Sequence, residues 1–151
     1  VEYIMKQLFK FGLAFIKSNQ LLLCRPYAFD DLILPGGIAE GNETFQEGLQ
    51  REVTEELGPA ARLDTESLVY LGRFKDRAAG KSERIVEIAL YHGRIDGPLV
   101  ASSEIKELIW FSALDDPCTL SPIIRNHILP CLMMRGLITT QGHPNAECQT
   151  K

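Results

Sequence analysis

The chain has 151 residues, 45% of them apolar and 24% charged, with a net charge of −4 and a pI of about 5.4. That length suits one domain with a filled core, and the acidic balance argues against duplex nucleic acid, whose binding needs a basic footprint. No apolar run approaches a membrane span and no signal-peptide pattern opens the chain, so a cytoplasmic protein is expected.

Residues 7–17 are apolar and partly alternating, which predicts a strand. Ser18-Asn19-Gln20 reads as a turn and residues 21–25 as a second strand, together a hairpin. A loop follows from Pro26 to Asp31. A short strand over Leu32–Leu34 then runs into the breaker Pro35-Gly36-Gly37. Thr44-x-x-Glu47 is a capping-box pattern that starts a helix near Phe45, and Gly58-Pro59 ends it with glycine at a left-handed position. Phe45, Leu49, Val53 and Leu57 form its apolar stripe. Residues 68–75 and 84–95 read as a second hairpin with a polar, mobile link, and residues 107–112 as a further strand. A final helix starts at Ser121-Pro122, with a break or kink expected at Pro130. The expectation is one domain over 1–140, of mixed α/β or α+β class, followed by a flexible tail over 141–151. Cys24, Cys118, Cys131 and Cys148 lack zinc-like pair spacing and read as free thiols.

The helix carries the chemistry. At ~100° per residue, with Glu52 at zero, Glu56 lies at about +40° and Glu55 at about −60°. Three carboxylates thus share one face beside the apolar stripe, where their repulsion is least screened. A divalent cation removes the conflict, and magnesium prefers oxygen ligands. Gly48 falls on the same face, at about −40°, and is read as clearance for substrate or a metal-bound water.

The segment GGIAEGNETFQEGLQREVTEELGP resembles the Nudix box, through Gly37, Glu43, Arg51, Glu52, Val53, Glu55, Glu56 and Gly58. Pro59 departs from it, standing where an aliphatic residue is usual. Leu34-Pro35-Gly36-Gly37 fits the family's approach to the box. The resemblance implies an α/β/α sandwich around a mixed β-sheet. It also implies Mg2+, or Mn2+ in its place, bound by Glu52, Glu55 and Glu56 with the Gly36 carbonyl as a further ligand. Arg51 and Glu43 would orient those carboxylates, Arg51 counting with the catalytic set. A further acid from a loop before a late strand is expected as base or metal ligand. Glu104 fits that place best, Glu107 competes with it, Glu56 or Glu55 could orient the water instead, and Glu87 could join if it points inward.

The substrate implied is a small nucleotide-like diphosphate. Arg25, Gly37, Gly48 and Phe74 are the candidates to contact it, with Arg73, Lys75, Arg77 and Arg84 as further candidates for its phosphates. Tyr3, Phe9, Phe11 and Phe29 could stack on a base or fill the core. The resemblance favours nucleoside triphosphates, oxidised ones included, and then ADP-ribose or nucleotide sugars. It also makes a homodimer common. A non-catalytic Nudix-fold nucleotide sensor is the alternative, against which the three intact glutamates count. The related isoprenoid diphosphate isomerases would need a cysteine and an extra histidine that are not evident.

Overall fold

A computed structural model describes residues 7–141; Tyr3, Cys148 and all but the first residue of the expected tail lie outside the described residues. The first strand does not run unbroken. β1 (Gln7–Ala14) and β2 (Ile16–Lys17) belong to different sheets, separated at Phe15. β2 turns through Ser18 and Asn19, both at positive φ, into β3 (Gln20–Pro26). Two such residues make the turn that matches strand twist. The expected hairpin is therefore real but short, pairing Ile16 with Leu21 and Lys17 with Gln20.

β1 instead pairs in parallel with β6 (Ile85–Asp96) and antiparallel with β4 (Gly36–Gly37). The order in this mixed sheet is β4-β1-β6-β5, with β5 over Arg62–Arg77. A second sheet has the order β2-β3-β7, where β7 is Ile105–Phe111. Residues 32–34 form only isolated bridges, Cys24 with Ile33 and Leu32 with Leu120. The glycines expected only to break the chain carry the pairing at β4.

Helices cover both faces. α1 (Phe45–Leu57) buries Leu49, Val53 and Leu57 against Phe11, Leu13 and Ile95. On the other face Ile123, Ile124, Ile128 and Leu132 pack with Leu21, Leu23, Val86 and Leu90. The layering is an α/β/α sandwich around a mixed sheet. The expected disturbance at Pro130 is a π-helical turn, Ile124–Ile128, ahead of α2 (Leu129–Met134). Proline lacks an amide and crowds the carbonyl four residues back, and a widened turn relieves both. Among the described residues no helix is long and apolar enough to cross a membrane.

Candidate active site

Both bonds of the capping box form at Thr44 and Glu47, which fixes the start of α1 and so the direction of every side chain along it. At its end Gly58 has φ 99° and ψ 158°, extended rather than left-handed helical, yet still a conformation that favours glycine. The last carbonyls of α1 are satisfied by an outside loop. The amide of Ser102 donates to Glu56 O at 3.1 Å and that of Val100 to Leu57 O at 2.8 Å. These bonds hold the loop before β7 against the helix end, and that loop carries Glu104.

Glu52 and Glu56 lie one turn apart, 8% and 2% exposed. Each of Glu52, Glu56 and Glu104 offers an oxygen within 4.8 Å of the other two. The Gly36 amide donates to Glu56 Oε1 at 2.8 Å. Gly36 has φ 146°, and a β-carbon there would fall 2.2 Å from the Phe11 carbonyl oxygen. Only glycine lets β4 cross so close to β1 while presenting its amide to the acid.

Arg51 organises the rim. Its Nη2 donates to Glu43 Oε1 at 2.7 Å, its Nε to Glu43 Oε2 at 3.1 Å, and its Nη1 to Glu52 Oε1 at 2.9 Å. Nη2 also reaches the Ile38 carbonyl at 3.1 Å. The Arg51 guanidinium holds the Glu43 carboxyl below its usual range, and the Glu43 carboxylate in turn pushes the Arg51 pKa up. Glu55 stands outside the group of three acids. Its side chain is 47% exposed and faces Arg51 Nη1 at 3.4 Å.

Burial dominates the electrostatics of the inner acids. It pushes Glu56 up to about 8, and the Glu52 and Glu104 charges add to that against the Gly36 hydrogen bond and Lys10. Burial raises Glu52 too, opposed by Arg51. Two carboxyls that resist ionisation, beside a third, form a site whose charge is unbalanced without a cation.

The acids open into a cleft of about 400 Å³, bounded also by Lys10, Phe29, Gly36 and Gly37. Several expected contacts lie elsewhere. Arg25 pairs with Glu107 at 2.5 Å, directly across the β3–β7 ladder, and donates to the Asp30 carbonyl at 2.8 Å. Neither bounds the cleft. Phe74 packs on the core, so its expected substrate contact is corrected to packing. Glu87 pairs with Arg73 at 3.3 Å, and Arg73 also covers the Phe9 ring. Gly48 is corrected as well. A β-carbon there would meet Phe11 Cζ at 2.4 Å, so this glycine clears the core ring under α1 rather than substrate or a metal-bound water. The apolar stripe curves around the helix far enough to take in a position that even angular spacing assigns to the acidic face. Phe29 reaches the cleft, and Arg84 bounds the adjoining pocket.

Sequence reasoning missed Lys10 and Ser121. Lys10 shares the face of Leu8 and Gly12 on β1, a lone cation alternating with Phe9, Phe11 and Leu13, the last two of them buried, and that alternation was a usable signal. Ser121 read only as a helix start.

A family model for the NUDIX domain matches residues 10–121. The chain belongs to the Nudix family. Solved structures share the Nudix fold at low identity. The Escherichia coli ORF135 protein is 23% identical over 91% of this chain and 96% of its own, with a TM-score of 0.65. A MutT protein from Methanosarcina mazei Go1 is 19% identical over 89% and 99%, with a TM-score of 0.67. An ADP-ribose pyrophosphatase from Streptococcus suis is 18% identical over 84% and 90%, with a TM-score of 0.56. No curated protein matches the chain in sequence. In this Nudix chain Pro59, the one departure from the box, follows the last helical turn and leaves the acids undisturbed.

Proposed function

We propose that the protein is a magnesium-dependent hydrolase that cleaves a nucleoside diphosphate linked to another group, by attack of water on one phosphorus. The observation that carries this is the meeting of Glu52, Glu56 and Glu104 oxygens within 4.8 Å. An all-oxygen donor set of high negative charge fits a hard divalent cation, Mg2+ with Mn2+ as a substitute. Glu52, Glu56 and Glu104 would hold it, with Glu55 and the Gly36 carbonyl as further ligands suggested by the family resemblance. When bound, such an ion polarises a phosphoryl oxygen, makes water a stronger nucleophile and offsets charge on the leaving group.

The protein's own groups prepare that site. Arg51 and Glu43 fix Glu52, and the Gly36 amide fixes one oxygen of Glu56. Glu104, the exposed member, is assigned the proton of the attacking water. Lys10, without an ion-pair partner among the described residues, is the cation available to a phosphate in the cleft. Nucleoside triphosphates, oxidised ones included, come first as substrates, then ADP-ribose and nucleotide sugars. A reducing cytoplasm agrees with free Cys24, Cys118 and Cys131.

Release of phosphorylated products from such a panel, with and without magnesium, tests the reading. Metal-dependent release from at least one compound is expected. Tight binding with no release from any would establish a nucleotide sensor instead.

A further inference from the structure

α1 covers only part of its side of the mixed sheet. Its first residue, Phe45, stacks on Tyr91, with ring centroids 4.4 Å apart and planes 9° apart. Leu49, Val53 and Leu57 then pack on with Leu63 and Ile95. The stretch of β6 before Tyr91 therefore lies beyond the start of the helix. There β1 and β5 flank it, with Phe9 and Lys75 opposite Glu87, Arg73 opposite Ala89 and Arg77 opposite Ile85. Residues opposite one another in a ladder share a face, so all of these share the face of Tyr91.

This open face combines rings and cations. Phe9 is 46% exposed and Tyr70, which lies against Tyr91, is 50% exposed. The Arg73 guanidinium lies over the Phe9 ring, 4.6 Å from its centroid, and pairs with Glu87 at 3.3 Å. Arg73, Lys75 and Arg77 alternate along β5, the edge of its sheet, and all three are exposed. Lys75 and Arg77 have no ion-pair partner among the described residues. Three cations thus stand beside one acid, Glu87, in a chain whose net charge is −4. Cations on an edge strand guard it against pairing with another strand. That accounts for the charges but not for the rings left open to water beside them, which mark an interaction surface.

We propose that this face binds a single-stranded nucleic acid, separately from the acidic cleft. Such a strand offers flat bases to Phe9, Tyr70 and the Arg73 guanidinium, and phosphates to Lys75 and Arg77. A duplex keeps its bases stacked on each other and is held mainly through phosphates, which an acidic chain does not favour. A second copy fits worse, because a two-fold pairing of this stretch of β5 with itself sets its cations against one another. None of these five residues bounds the acidic cleft or the pocket beside it. Lys10, which does, points to the opposite face of β1 from Phe9. The inference does not depend on the hydrolytic reading.

The test is fluorescence anisotropy of a labelled oligouridine of about ten nucleotides, within the usual span of one such surface, with the full chain in chelator at low salt. Its 5′ end is a hydroxyl, so it brings no diphosphate to the cleft. Wild type binds it, and binds a duplex of equal length more weakly. Phe9→Ala loses at least about fivefold in affinity, as for one stacked base. The exposed double variant Lys75→Ala/Arg77→Ala lowers the slope of log affinity against log salt by about 1.4, two phosphates at about 0.7 each. That variant carries the test if Phe9→Ala melts early. Lys10→Ala binds like wild type. No binding by wild type, or an unchanged salt slope in the double variant, overturns the proposal. So does a loss in Lys10→Ala alone, which moves the strand to the cleft. Equal binding of polyglutamate, unaffected by Phe9→Ala, gives the face to an acidic protein instead. A sedimenting dimer that Phe9→Ala dissociates gives it to a second copy. Either result overturns the proposal.

Discussion

A β-carbon on Gly37 would fall 2.3 Å from Oε1 of Glu52, so the acid occupies the space that any side chain at Gly37 would need. Gly48, one turn before Glu52, is glycine for a different reason, since its added carbon would strike Phe11. The two alanine variants therefore separate. Gly37→Ala displaces Glu52 and weakens magnesium binding on the order of tenfold, as for a disturbed ligand support, with a small change in melting temperature. Gly48→Ala overpacks the core and costs about 1–3 kcal/mol of stability, with the Michaelis constant held. Calorimetric metal titration and thermal denaturation of both variants check this.

Arg51 joins Glu43, Glu52 and the Ile38 carbonyl through one guanidinium. Its removal leaves the buried Glu52 without its counter-charge. Arg51→Ala should cost about 2 kcal/mol, between exposed and fully buried pairs, and Arg51→Lys somewhat less. Lysine keeps the charge but not the fork. Denaturant midpoints measure both.

Burial raises Glu56 from 4.5 to about 8 in the folded chain. The folded state then binds the proton more tightly than the unfolded one. Its stabilising contribution is fully present below pH 4.5 and is lost as pH rises through about 8. Metal-free protein should melt progressively lower across that window, and Glu56→Gln should flatten the decline. Saturating magnesium should reverse it, because binding requires ionised carboxylates. Melting curves in chelator and in magnesium, over pH 5 to about 8.5, read the sign directly.

Glu104 and Glu107 lie three residues apart but face different partners. Glu104 meets the acids of α1, whereas Glu107 is paired to Arg25 across the sheet. Glu104→Gln should lower turnover by at least tenfold, within the usual contribution of a positioned acid or base. Glu107→Gln should stay within about twofold, as for a change at an exposed ion pair. Steady-state kinetics on the best substrate compare them.

Local signals carried far in this chain. The capping box, the Gly58 stop and the spacing of Glu52 and Glu56 follow from helix geometry, so α1 was legible residue by residue. The Pro130 disturbance was legible as a place, though not as a π turn. What escaped depended on contacts between distant segments. The Phe15 break sends β1 to pair with β6, more than seventy residues away, and no local pattern encodes that parallel partner. Gly48 and Phe74 looked available to substrate because their neighbours, Phe11 and the far-side core, come from other elements. Arg25 looked free because its partner Glu107 arrives from β7.

The most direct test of the central claim is single-turnover product release by wild type and Glu56→Gln, with magnesium and with chelator, on the best compound of the panel. The account predicts release by wild type only with the metal. It also predicts a fall of at least about a hundredfold in Glu56→Gln despite an intact fold, in the range of losing a charge-stabilising group. Equal release in chelator, or a near-wild-type rate from the folded variant at saturating magnesium, would contradict it.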